Sequence, residues 1–175
     1  MRYAAFLRGI NVGGNTKIDM AELRAVFESL GFENVKSYIN SGNVMFDAKK
    51  TANEKLAAKI EKAIESEFSK NVSVMVRSIE EVKELLTKNP FENQQKDGQD
   101  IFVVFLANEL SEENEKLLLE QNKPSEMFAV HGPNVLCLMD RGFQDSLLGK
   151  KFIDKTLKTP ATARNLRTVK KVVVM

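Results

Sequence analysis

Over the first 78 residues the apolar spacing switches between a period of two and a period near 3.6, in one fixed order. Residues 3–8 form a short apolar run that reads as a strand. The glycine-rich stretch GINVGGN follows and breaks it. Met20, Leu23, Val26, Phe27 and Leu30 then share one helical stripe, with Asp19 placed to cap it and Gly31 to end it. Phe32, just beyond, is placed to fold back onto that stripe. Residues 35–39 and 43–46 read as the two strands of a hairpin around Asn40-Ser41-Gly42. Leu56, Ile60, Ile64 and Phe68 mark a long helix, and Val72, Val74 and Val76 alternate along a fourth strand. The order β-α-β-β-α-β predicts a ferredoxin-like unit, with two helices on one face of an antiparallel sheet.

The same order starts again further on. Residues 101–106 read as a strand, 111–120 as a helix, and 127–130 with 135–139 as a hairpin around His131-Gly132-Pro133-Asn134. Aligned on their Asn-Val pairs, SYINSGNVMF and FAVHGPNVLC both carry a turn glycine just ahead of a buried strand, which reads as a duplication. Ile79, Val82, Leu85 and Leu86 mark an additional helix that stops near Asn89-Pro90. Leu147, Leu148, Phe152, Ile153 and Leu157 predict a fifth major helix, broken by Pro160. Residues 161–171 read as helical, with Leu166 and Val169 inward, and the valines at 172–174 leave a closing helix or strand open. The expected class is α+β, built as two related ferredoxin-like (βαββαβ-type) halves with antiparallel sheets and helices on one face. The expected division is residues 1–90 with their extra helix, a linker at 91–99, and a diverged second half at 100–175 with a basic C-terminal segment.

A chain of 175 residues buries about two thirds of its unfolded surface, so it needs no covalent staple. The single cysteine, Cys137, excludes an internal disulfide. No apolar run approaches the ~20 residues needed to cross a bilayer, and the opening residues lack the features of a signal peptide. The expectation is a cytoplasmic protein without membrane contact. His131 is the only histidine, too little with Cys137 for a zinc site, and no HExxH, EF-hand loop or GxSxG elbow occurs. No metal or cofactor is expected, and no acid, base or nucleophile stands out as catalytic.

The net charge is +2, but it is unevenly spread. Residues 91–149 carry 11 acidic and 4 basic groups, and residues 150–175 carry 8 basic and 1 acidic. The basic tail either attracts phosphate or nucleic acid or pairs with the acidic segment before it.

The densest polar stretch runs from Arg8 through Asn11, Gly13 and Gly14 to Lys17, directly after the first strand. Glycines let backbone N–H groups converge on an anion, and the cations add charge. It is neither a P-loop nor a GxGxxG fingerprint.

RGINVGGNTKIDMAELRAVFESLGFENVKSYINSGNVMF resembles the opening of the uncharacterised bacterial family DUF1697, and TARNLRTV at 162–169 resembles its C-terminal motif. The resemblance implies an α+β fold of two related ferredoxin-like halves and implies no activity. Leu166 stands where the family often has Trp. Family pattern positions include Arg8, Asn11, Gly13, Gly14, Lys17, Tyr38, Ser41, Asn43, Arg164 and Asn165, which are the candidate anion-binding residues. Three readings follow. One is a phosphate- or anion-binding module, for nucleotide or nucleic acid. The second is an enzyme acting on a phosphorylated or carboxylated substrate. The third is a non-catalytic interaction protein, with a homodimer left open.

Overall fold

The computed structural model describes residues 1–13, 16–142 and 145–175. In chain order its elements are β1 (Arg2–Leu7), α1 (Met20–Ser29), β2 (Glu33–Tyr38), β3 (Asn43–Asp47), α2 (Asn53–Phe68), β4 (Val74–Ser78), α3 (Ile79–Thr87), β5 (Gln99–Leu106), α4 (Glu112–Leu119), β6 (Glu126–His131), β7 (Asn134–Asp140), α5 (Phe152–Lys155), β8 (Ala161–Asn165) and α6 (Leu166–Val173). They form two antiparallel sheets of identical order, β2-β3-β1-β4 and β6-β7-β5-β8. The predicted α+β class and the two similar halves are therefore present. The chain divides into two compact units, residues 1–83 with 171–175, and residues 84–170. Among the described residues no helix is long and apolar enough to cross a membrane.

In the first unit α1 buries Leu23, Val26 and Phe27, and α2 buries Leu56, Ile60 and Ile64. Both stripes pack on Tyr3, Ala5, Leu7, Val44, Phe46, Val74 and Val76, which share one face of the sheet by the alternation of strand side chains. Asp19 caps α1 by accepting from the Ala21 and Glu22 N–H groups. Gly31 ends the helix at φ 78°, and Phe32 turns back to meet Phe27 edge-on at 6.1 Å and Phe46 stacked at 4.5 Å.

β4 runs into α3 through a reciprocal cap. The Glu81 N–H donates to Ser78 Oγ, and the Ser78 N–H donates to Glu81 Oε2 at 2.6 Å. Asn53 Nδ2 donates to both oxygens of the same carboxylate. Burial works to raise the Glu81 pKa, but the bonds from Asn53 and Ser78 outweigh it and hold the carboxyl below its ordinary value. A lowered folded-state pKa adds stability above the unfolded value and loses it as pH falls through the folded one. Glu81→Gln is thus expected to lower Tm at neutral pH. It should lose that effect below the folded pKa, where both side chains are neutral; thermal melts across pH 2–7 check this.

The second unit repeats the plan with shorter helices. Leu118 of α4 and Ile153 of α5 pack on Val104, Leu106, Phe128, Val135 and Cys137. Two expectations fail here. The predicted fifth major helix is only the four residues Phe152–Lys155, because Lys151 sits at φ 57° and interrupts it. Leu147 and Leu148 are held instead by the buried Glu126. Its carboxylate accepts from Ser146 Oγ at 2.8 Å and from the Leu147 and Leu148 N–H groups at 2.8 and 3.2 Å. Residues 161–165 are strand rather than helix, since β5 offers a ladder edge that takes five successive partners from Leu106–Ala161 to Phe102–Asn165. The chain then closes as helix α6.

Glu126 is fully buried and surrounded by donors. Glu126→Gln would set an amide NH2 against one of those N–H groups, and is expected to destabilise the protein by about 2 kcal/mol. Urea denaturation reads this directly, and a change below about 0.5 kcal/mol would contradict it.

Candidate functional site

The two units can be superimposed through equivalent bonds, which shows where they differ. Asn43 lies opposite Phe6 and Asn134 opposite Phe105. Each asparagine is buried and donates Nδ2 across its hairpin, Asn43 to Tyr38 O at 3.0 Å and Asn134 to His131 O at 3.2 Å. The Leu7 N–H donates to Gly42 O, and the Leu106 N–H to Pro133 O. The Asn-Val alignment of the sequence thus carries through to matching hydrogen bonds.

Arg77 and Arg164 are also equivalent, opposite Ala4 and Val103 two residues before those phenylalanines. Both are buried, and each donates Nη1 to the carbonyl of the residue before it, Val76 at 2.7 Å and Ala163 at 2.8 Å. Arg164 Nη1 also reaches Thr162 Oγ1 at 2.8 Å. Burial pushes the Arg164 pKa down to about 10, so it remains charged at neutral pH. Asn165 Oδ1 accepts from the Arg167 N–H at the start of α6, as Ser78 serves α3. Arg164 and Asn165 therefore build a strand-to-helix corner. Sequence reasoning missed Arg77, although VRSI and ARNL carry the same signal of arginine, cap and apolar helix start.

Against this shared frame the first unit has two longer loops at one end of its sheet. Residues 8–19 join β1 to α1, where residues 107–111 suffice in the second unit. Residues 39–42 join β2 to β3, where residues 132–133 suffice. The two loops are fastened together by Asn11. Its Nδ2 donates to Ile18 O and to Asn40 O, both at 2.9 Å, and its Oδ1 accepts from the Ile18 N–H at 2.9 Å. The Asn11 N–H donates to Thr16 O, closing the β1–α1 loop on itself.

Positive φ recurs at alternate residues, 67° at Gly9, 54° at Asn11 and 63° at Gly13. A Cβ at Gly9 or Gly13 would meet nothing, so these glycines answer a conformational demand in open space. Asn11, Lys17, Ile18, Asp19, Met20 and Asn40 line a hollow of about 430 Å³. Lys17 is exposed and makes no ion pair among the described residues. The Asp19 carboxylate is engaged with the start of α1.

The sequence-selected residues thus fall into groups. Arg8, Asn11, Gly13 and Lys17 are on the first loop, and Tyr38, Ser41 and Asn43 are on or beside the second. The Arg8 N–H donates to Ser73 O, and Ser41 Oγ accepts from Asn43 Nδ2 at 3.1 Å. Gly14 lies outside the described residues. Arg164 and Asn165 belong to the other unit.

Two cations of the basic tail pair with the acidic segment. Lys150 reaches Asp145 at 2.7 Å, and Lys170 pairs with Glu92. Burial pushes the Cys137 thiol well above its ordinary range, and the Glu126 carboxylate adds to the shift, so the thiol is inert in the folded protein. Among the described residues no three His, Cys, Asp or Glu side chains come together as metal ligands.

Comparison with solved structures finds the conserved bacterial protein SP0830 from Streptococcus pneumoniae at a TM-score of 0.74 and 28% identity, covering 99% of this chain and 97% of that one. Among curated proteins none matches. The family described as Protein of unknown function (DUF1697) matches residues 1–135, all of the longer-looped sheet included, and the chain belongs to that family.

Proposed function

We propose that the chain is an anion-binding module that takes a phosphate or carboxylate group in the hollow beside Asn11, Lys17 and Asn40. The observation that carries this reading is the internal comparison. A ferredoxin-like sheet closes in the second unit with loops of residues 107–111 and 132–133, so the fold does not require the longer pair at 8–19 and 39–42. The extra residues supply the exposed ammonium of Lys17, which makes no ion pair among the described residues. An ammonium in such a hollow is a charge-assisted donor for an anion. The Asn11 bonds hold both loops in place before any ligand arrives, which reduces the ordering cost of binding.

The pairing of Lys150 and Lys170 with carboxylates, and the burial of Arg164, favour a small anion over nucleic acid. Calorimetric titration of inorganic phosphate at low ionic strength tests the site. Lys17→Glu is expected to weaken binding by about ten-fold or more, and added salt to weaken binding to the unaltered protein. Equal affinity of the two proteins would overturn the assignment.

A further inference from the structure

The second unit carries a larger hollow, of about 770 Å³, with Pro124, Met127 and Leu138 among the residues that line it. Met127 and Leu138 are register partners, next to the pair Phe128 and Cys137. Phe128 and Cys137 pack with Leu118 of α4 and Ile153 of α5, so strand alternation turns Met127 and Leu138 to the opposite face of the sheet. Side-chain amides tie both walls in place. Gln99 Nε2 donates to Asp140 Oδ1 at 2.9 Å, and Gln99 Oε1 accepts from the Lys96 N–H at 3.1 Å. Gln95 Nε2 donates to Gln99 O at 2.8 Å. On the other side Asn122 clasps Phe128, donating Nδ2 to its carbonyl at 3.1 Å and accepting from its N–H at 2.6 Å. Walls braced in this way before a ligand arrives reduce the ordering cost of binding.

The charge lining this hollow has one sign. Lys96 and Lys123 are both exposed and both line it, and among the described residues its lining includes no carboxylate. Lys96 makes no ion pair among the described residues. Lys123 also acts on Asp145, but that carboxylate is paired with Lys150 at 2.7 Å. Three apolar residues and two ammonium groups lining one hollow fit an anion with an apolar body. Met127 favours an aromatic body, because a thioether packs well against a ring edge. The volume is within the range of small-molecule sites.

We propose that this hollow binds an aromatic carboxylate, its ring against Pro124, Met127 and Leu138 and its carboxylate between Lys96 and Lys123. The site is separate from the hollow beside Asn11 and does not depend on the reading given to that one.

Calorimetric titrations with 2-naphthoate, acetate and the uncharged 2-naphthylmethanol test this at low ionic strength. The protein is expected to bind 2-naphthoate about ten-fold or more tightly than either of the others, since acetate lacks the ring and the alcohol lacks the charge. Lys96→Glu is expected to weaken 2-naphthoate binding by about five-fold or more with little change in Tm, because the side chain is exposed. In the labelled protein, 2-naphthoate should move amide resonances within residues 93–99 and 122–128. Acetate or the alcohol binding as tightly as 2-naphthoate, or Lys96→Glu leaving its affinity unchanged, would overturn the proposal. Shifts confined to residues 9–20 and 39–42 would also overturn it while leaving the anion site of the first unit standing, and an absence of 2-naphthoate binding at millimolar concentration would end it.

Discussion

Gly42→Ala is expected to lower the unfolding free energy by about 3–4 kcal/mol, the largest single-residue effect in the first unit's loops. Two causes act together. Gly42 has a φ of 80°, which an alanine adopts only with strain. An added Cβ would also sit 2.8 Å from Leu7 Cβ and 2.9 Å from Ile10 Cγ1 and Cδ1. Leu7 and Ile10 are fully buried, and a Cβ cannot swing aside without its backbone. The Leu7 N–H to Gly42 O bond at 2.8 Å fixes the two strands at that approach. Gly31→Ala is the control. Its φ of 78° is nearly the same, but a Cβ there meets nothing, so only the conformational part, about 1 kcal/mol, should appear. Paired urea denaturation curves give the difference, and similar midpoints for the two variants would contradict the steric account.

The second large effect is at Asn11. Asn11→Ala removes three side-chain bonds and puts alanine at φ 54°, for an expected loss of about 3 kcal/mol. Asn11→Gly removes the same bonds but tolerates the φ, so it should lose about 2 kcal/mol. Both should abolish phosphate binding, because the β1–α1 loop is no longer tied to Asn40. A variant that loses stability as expected but keeps full phosphate affinity would remove the two-loop hollow from the binding account.

How far these features are legible in the sequence depends on their range. Apolar periodicity is a local signal, and it is enough to place the strands and helices of the first unit, down to the Asp19 cap and the return of Phe32. β8 is not legible this way. ATARN has no alternating large apolar residues, and its extended form comes from the ladder with β5, a partner more than fifty residues away. The helix predicted through Leu147 and Leu148 fails for a related reason. A buried carboxylate, Glu126, claims their N–H groups, and in a one-dimensional pattern it looks like any surface acid.

The candidate site shows the same division. The polar, glycine-rich character of residues 8–17 is evident in the sequence, as is the asparagine after Gly42. The role of Asn11 as a fastener is not, since its partner Asn40 becomes a neighbour only when β1 and β3 pair. Ile39 reads as the end of a strand, yet it sits past the end of β2 with a left-handed φ. The two-loop insertion becomes visible only once the strand ends of both units are known and matched through Asn43 and Asn134.

Where an anion lands on the protein tests the proposed site most directly. In a titration of the isotopically labelled protein with inorganic phosphate, followed by amide chemical shifts, the moving resonances are expected to fall within residues 9–20 and 39–42. Shifts centred instead on the basic tail at 150–175, or no movement at millimolar phosphate and low ionic strength, would contradict it.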